Sequence, residues 1–346
     1  AAVQQASERS KTVNSQEEFF SNARNLYLSS MMDKDAKIYV AGHRGLLGTA
    51  LVRMLRERGH ENLLLRTSAE LDLRRQADVE AFFERERPQV VFLAAARVGG
   101  IWANMHNPAL FFYDNLMIQT NVIHAAWRFG AERLLFVSSS CSYPRLCPQP
   151  MREEYILTGP PEPTNEAYAI AKISGMKMIE AYHRQYGVRF FSVIFPNLFG
   201  PGDNFDPRDS HVIAALVRRF REAAEGDLPD VEIWGTGRAR REFLYVDDAA
   251  DACLFFAERL SGGEAVNAGA GTDLSIDELA RRIAAISGYG GRLVFDPSKP
   301  DGMPQKLLDI SAMAQFGWKP RVGLDEGLRR TCEWYARNRA SAGETA

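Results

Sequence analysis

From Lys37 onward the sequence alternates short β-rich runs with amphipathic stretches: Ile38-Tyr39-Val40, then 49–58, Leu63-Leu64-Leu65, then 76–86, and Val90-Val91-Phe92-Leu93. Short apolar runs joined in this way to one-faced helical stretches close a core as parallel strands with helices on both sides. The alternation continues through a helical 109–129, the strand Leu134-Leu135-Phe136-Val137, a helical 166–186 and the strand Phe190-Phe191-Ser192-Val193-Ile194. The expectation is an α/β fold with a Rossmann-like doubly wound parallel sheet over 36–195.

The composition of the chain changes after Pro196. Gly200, Pro201, Gly202, Asp203, Asn204 and Pro207 mark a loop, and a basic helix candidate follows at 211–224. A smaller α/β substrate domain is expected over 196–242 and 269–346, with helices at 275–287 and 324–339. About 243–268, carrying a helical 247–260, returns to the first domain. Residues 1–35 read as an extension. Phe19, Phe20, Ala23, Leu26 and Tyr27 give it a small apolar stripe on one short helix after Ser15, and an upstream extension ahead of a true start at Met31 or Met32 is the other reading.

Of the 346 residues 46% are apolar, enough for one large core or two modest ones. With 42 basic against 44 acidic residues, the net charge of -2 provides no chain-wide positive field for nucleic acid. No run of 18 apolar residues is present to cross a membrane, and Glu17 and Glu18 stand where a secretory signal would be basic, so a cytoplasmic protein is expected. Cys141, Cys147, Cys253 and Cys332 form no Cys-x-x-Cys pair and no metal-spaced cluster, which predicts a reducing compartment and no metal site.

Directly after the first strand stands Gly42-His43-Arg44-Gly45-Leu46-Leu47-Gly48, with a helical pattern beginning at once. Strand, glycine turn and helix in that order suit a dinucleotide. Gly42 and Gly45 let the backbone approach a pyrophosphate held by free amides at the helix start, and Gly48 allows close helix-to-strand packing. Where an NAD-preferring chain offers Asp or Glu to the ribose hydroxyls, this one ends its second strand Leu65-Arg66-Thr67-Ser68. Arg66 and Arg44 suit a 2′-phosphate, so NADP(H) is the expected cofactor. Asp72 is a candidate acceptor for the adenine amino group or a cap on the next helix.

Tyr168 and Lys172 lie four apart on a helix and leave the same face. A neighbouring cation favours the phenolate, which makes Tyr168 a candidate general acid. Ser138-Ser139-Ser140, just past a strand ending at Val137, stands where open α/β sheets bind their ligands, and a serine hydroxyl there can hold a substrate carbonyl.

Glycine loop, strand-end serines and Tyr-x-x-x-Lys in this order resemble the extended short-chain dehydrogenase/reductase family over essentially 37–340. The resemblance implies that Ser139 orients the substrate, Tyr168 donates the proton, and Lys172 binds the nicotinamide ribose while lowering the phenol pKa. Within that family Ala94-Ala95-Ala96-Arg97-Val98-Gly99-Gly100-Ile101, Ser139-Ser140-Cys141-Ser142-Tyr143-Pro144, Pro163-Thr164-Asn165-Glu166, Asp203-Asn204-Phe205 and Ser210-His211-Val212-Ile213 resemble the enzymes that epimerise and reduce GDP-linked 4-keto-6-deoxymannose. Epimerising both carbons beside a ketone needs groups that remove and return protons, and Cys141 and His211 can supply them. The resemblance makes Cys141 the base and His211 the acid. On the residues alone a small buried thiol at a strand end and a helix-start histidine remain open readings.

By the same resemblance Ala95, Asn197 and His211 contact the cofactor, while Arg219, Trp234, Arg241 and Lys306 bind the GDP-linked keto-sugar. The other reading of those basic groups is a solvated surface. A homodimer through 109–129 and 166–186 is implied too. Cys147, Cys253 and Cys332 are read as packing residues, and the absence of Gly-x-Ser-x-Gly argues against a hydrolase. Near 102–114 the sequence departs from the pattern expected beside the sugar, with Trp102, Met105 and His106 among the unexpected groups. Alternatives are a reductase or epimerase-reductase for another GDP-keto-sugar such as a 6-deoxy-heptose or colitose type, a UDP-sugar 4-epimerase, and a dinucleotide sensor without turnover.

Overall fold

The computed structural model describes residues 32–207 and 209–342; the helix expected after Ser15 lies outside them. From Lys34 the chain forms one compact unit. β1 (Ile38–Ala41) turns through glycines into α1 (Leu46–Glu57), followed by β2 (Leu63–Leu64), α2 (Gln76–Glu86) and β3 (Val90–Leu93). Next come α3 (Ile101–His106), α4 (Pro108–Arg128), β4 (Arg133–Ser139), a one-turn 3₁₀ segment at Ser140–Ser142, α5 (Glu166–Tyr186) and β5 (Arg189–Phe195). The remainder runs β6 (Asn197–Phe199), α6 (Val212–Glu225), β7 (Asp230–Trp234), β8 (Arg240–Tyr245), α7 (Val246–Arg259), β9 (Ala265–Asn267), β10 (Asp273–Ser275), α8 (Ile276–Ser287), β11 (Arg292–Asp296), β12 (Gln305–Lys306), α9 (Ser311–Gln315) and α10 (Leu324–Ala342).

Six strands form the main sheet, in the order β2-β1-β3-β4-β5-β9, with every pairing parallel. β1, β3 and most of β4 and β5 are buried, which is why they read as continuous apolar runs rather than alternating ones. Tyr39, Val91, Phe136 and Phe190 of the sheet, Phe83 of α2, Ile123 of α4 and Ile179 of α5 share one core. Fully burying each such side chain contributes about 1.5–3 kcal/mol. Chain order reverses between β1 and β3, so a crevice opens there at the carboxyl ends of the strands.

A second layer is built around β8, which pairs antiparallel with β10 and parallel with both β12 and β6. β7 and β11 form a separate parallel pair. Phe199, Ile213, Val217, Phe220, Ile233, Leu279, Ile283 and Leu328 pack as its core. α8 starts with a capping box from Ser275 and Glu278 and stops at Gly288, whose φ of +74° is the left-handed turn glycine adopts without strain.

Two departures from the sequence reading bear on the site. A separate α3 precedes α4, the break falling at Asn107-Pro108 because proline starts a helix more readily than it continues one. α6 begins at Val212, with His211 as its extended N-cap residue and no side-chain cap.

Candidate active site

The turn after β1 lies in the crevice. Gly42 has φ +85°, and a Cβ on it would come within 2.7 Å of the Ala95 nitrogen beyond β3. A Cβ on Gly48 would fall 2.0 Å from the Gly42 carbonyl oxygen. The backbone therefore leaves a cradle at the start of α1 that side chains would fill. Gly45 is the N-cap residue without a side-chain cap, and the first turn, with Leu46 and Leu47, carries no acid, so its free amides face the crevice uncontested by a carboxylate. These features fit a dinucleotide pyrophosphate. Replacing Gly48 with Ala is expected to cost about 1–3 kcal/mol of stability by overpacking and to weaken dinucleotide binding; thermal unfolding and fluorescence titration with NADPH would check both.

Arg44 is exposed and makes no ion pair among the described residues, which leaves its guanidinium free for an anion. Arg66 is half-buried, donates to the Leu65 carbonyl at 2.9 Å, lies 3.5 Å from Glu86 and stacks over Phe82. Its charge is thus partly shared. Asp72 does not cap α2, whose N-cap is Arg75. It accepts the Arg74 backbone N–H at 3.0 Å and is clasped by the Arg74 guanidinium at 2.9 and 2.8 Å, which hydrogen-bonds it down to about 2. It stays ionised at neutral pH.

α5 carries the Tyr-Lys pair. Gly175 brings this helix close to β4, since a Cβ there would meet the Phe136 ring at 2.6 Å. The close approach lets Lys172 Nζ donate to the Val137 carbonyl at 2.9 Å, 4.7 Å from the Phe136 ring and 5.7 Å from the Tyr168 ring. Burial lowers Lys172 to about 7. The phenol departs from expectation: burial raises Tyr168 above its ordinary value, the Cys141 charge adds to the rise, and a hydrogen bond with Ser139 opposes it. In this state Tyr168 is protonated at neutral pH. Ser139, at the end of β4, accepts the Cys141 backbone N–H at 3.2 Å and so shapes the 3₁₀ turn that carries the thiol.

Cys141 is the hub. Asn165 Nδ2 donates to its sulfur at 3.0 Å and Lys306 Nζ at 3.2 Å. Burial pushes the thiol up, but the Lys306 ammonium, the Ser139 hydroxyl and the Arg241 guanidinium together bring it below the usual thiol value. His211 faces the same centre. Burial pushes it down, and the buried Asp203, with one carboxylate oxygen 4.0 Å from Nδ1, raises it above the ordinary histidine value with help from Cys141. A thiol inclined to lose its proton and an imidazole inclined to keep one form an acid–base pair.

Cys147, Cys253 and Cys332 are all free thiols pushed up by burial, the opposite of Cys141. Arg241 reaches across to the Asp301 carbonyl at 2.9 Å, Lys306 is its register partner, and Asn197 donates to the Glu242 carbonyl at 3.0 Å. Arg219 and Trp234 stand together: the guanidinium lies 5.8 Å from the exposed indole, and Lys299 lies at 5.7 Å. An aromatic plate flanked by cations suits a base and its phosphates. Asn165 and Asp203 stand out in the sequence only as parts of motifs; the fold sets Asn165 on the Cys141 sulfur and Asp203 beside His211.

A sheet with a dinucleotide cradle at its switch point and a Tyr-Lys-Ser cluster beside it defines an oxidoreductase or epimerase of nucleotide-linked substrates. The model of the NAD dependent epimerase/dehydratase family matches residues 38–269, and the chain belongs to that family. Within it, GDP-L-fucose synthase 1 of Arabidopsis thaliana is 55% identical over 90% of this chain and 96% of its own length. Among solved structures, a GDP-6-OMe-4-keto-L-xylo-heptose reductase from C. jejuni superposes with a TM-score of 0.85 at 38% identity, covering 89% of this chain and 99% of the other. A GDP-L-fucose synthetase from Naegleria fowleri bound to NADP gives 0.83 at 28% identity, covering 91% and 96%.

Proposed function

We propose that the chain converts GDP-4-keto-6-deoxy-D-mannose to GDP-L-fucose, epimerising carbons 3 and 5 and reducing the 4-keto group with NADPH. The observation that carries this reading is the Cys141 thiol, held between Lys306 and Asn165 with Tyr168 and His211 acting on the same centre. A plain reductase has no use for an acidified thiol beside an imidazole held above its ordinary pKa.

Gly42, Gly45, Gly48 and Arg44 hold the cofactor, with Arg66 beside them and Ala95 and Asn197 along the wall; when bound, NADPH supplies the hydride. Asp72 is assigned to the adenine end. Arg219, Trp234 and Arg241 hold the nucleotide diphosphate. The Cys141 thiolate removes the proton beside the ketone, the charge moving onto the carbonyl oxygen, where the Ser139 hydroxyl stabilises it. Protonated His211 returns a proton to the opposite face, and the pair re-equilibrates with solvent before the second carbon reacts. Tyr168 then gives its proton to the oxygen of carbon 4, and the Lys172 ammonium offsets the phenolate left behind.

Arg66 and Arg44, with no acid at the strand end, support NADPH over NADH, against a UDP-sugar 4-epimerase. The likeness to the heptose reductase keeps another GDP-keto-sugar as the second reading, and α3, with Trp102 and Met105 exposed, is the segment that would decide between sugars. We assign 36–195 and about 243–268 to the cofactor and 196–242 and 269–346 to the substrate. Exposed Leu110, Phe112 and Tyr113 of α4 and Tyr186 of α5 support a homodimer through those helices. No helix among the described residues is long and apolar enough to cross a membrane, and we place the enzyme in the cytoplasm.

The test is NADPH oxidation with GDP-4-keto-6-deoxymannose in deuterated water, followed by NMR of the product. Deuterium at carbons 3 and 5 of an L-fuco product is expected. Oxidation without label would make the protein a 4-reductase, and no oxidation would assign it another sugar.

A further inference from the structure

Glu242 lies one residue beyond Arg241 on β8 and is fully buried. A carboxylate in such a place is costly unless hydrogen bonds replace its water. Here backbone N–H groups do so: Gly271 donates to Oε1 at 2.8 Å and Leu308 to Oε2 at 2.8 Å. Room for the carboxylate comes from Gly269, where a Cβ would fall 2.3 Å from Oε1. Asp273 repels it; with burial the larger cause, the carboxyl is raised to about 7.

The consequence concerns β12, which pairs with β8 over only Gln305 and Lys306. Two rungs are too few to fix the direction of a strand. Beyond them the next segment is clamped from both sides. On one side Met151 donates to the Leu307 carbonyl at 2.7 Å, Asp309 to the Met151 carbonyl at 2.8 Å and Leu307 to the Gln149 side chain at 2.9 Å. On the other side no β8 carbonyl receives the Leu308 N–H; the Glu242 carboxylate does. It acts as a side-chain rung that extends the two-residue ladder.

We propose that Glu242 is a positioning residue: by holding the Leu308 N–H it fixes the strand end from which Lys306 reaches the Cys141 sulfur. This rests on the reading of Cys141 as a working thiolate, and it adds a residue that touches neither the sulfur nor any expected ligand. Glutamine at 242 turns one acceptor into an N–H₂ facing a backbone N–H, so one of the two clamps fails while side-chain volume is kept.

The experiment is peptide-resolved alkylation of Cys141 by iodoacetamide across pH, on the full chain, for wild type, Glu242→Gln and Lys306→Met. The Glu242→Gln midpoint is expected to rise by about one pH unit, the scale set by an opposite charge within contact range. Lys306→Met is expected to give at least that rise, and the double variant no more than Lys306→Met alone. If Glu242→Gln does not fold, Gly269→Ala displaces the same carboxylate from its neighbour and carries the same expectation. A folded variant with the wild-type midpoint, even at a lower melting temperature, overturns the proposal and leaves Glu242 a structural group. Alkylation needs no turnover: if Cys141→Ser washes deuterium into product as fast as wild type, the thiolate reading fails while the Glu242 shift can still stand.

Discussion

Tyr168→Phe is expected to reduce turnover of the GDP-keto-sugar by about 10²–10⁴-fold, the usual contribution of a positioned general acid, while leaving affinity for NADPH within a factor of about two. The phenol hydroxyl is the group lost; the ring, its packing against Lys172 and the glycine cradle remain. Deuterium exchange at carbons 3 and 5 should continue, because Cys141 and His211 do not need the phenol to move their protons. Steady-state kinetics, fluorescence titration and NMR of the recovered substrate separate these outcomes. Exchange and reduction lost together would mean that Tyr168 also orients the ring for Cys141, and unchanged turnover would remove it from the mechanism.

Cys141→Ser is the complementary case. A serine hydroxyl is far less acidic than a thiol, so the Lys306 ammonium, the Ser139 hydroxyl and the Arg241 guanidinium, which together lower the sulfur, cannot yield a useful alkoxide. Exchange at carbons 3 and 5 is expected to fall by about 10²–10⁴-fold. In the wild type, exchange should weaken as pH drops. The thiol is held below its ordinary value, so the thiolate persists to a lower pH than in a free cysteine and is lost as pH falls through that lowered value. His211 sets the alkaline side: raised by Asp203, it stays protonated to a higher pH than a free imidazole and loses that proton above it. The two give a bell-shaped profile for exchange, read as the rate of deuterium entry against pH.

Much of the parallel sheet was legible because its strands are buried on both faces and its helices are long. The helical pattern at 76–86 coincides with α2, and that at 166–186 with α5. The cradle and the Tyr-Lys pair could be read because each is local, its parts lying within a turn or a helix of one another. β6, β10 and β12 could not: two or three residues carry no period, and their pairing with β8 is decided by residues far off in sequence. For the same reason the sequence does not bring Lys306 to Cys141; the fold puts its ammonium on that sulfur. The phenol misled differently. Spacing says that Lys172 is near, but only the packed structure shows that the surrounding fold withdraws both groups from water, and that loss of water dominates.

The contact between Lys306 and Cys141 joins residues 165 positions apart, with the sulfur in the earlier half of the chain. As the polypeptide emerges from its N-terminal end, β4 and the turn bearing Cys141 exist long before the strand that carries the ammonium. Until then the sulfur lacks the largest of the charges that lower it. Its full acidity is completed by the last strand to arrive, so a molecule cut short before β12 carries a less acidic, slower cysteine.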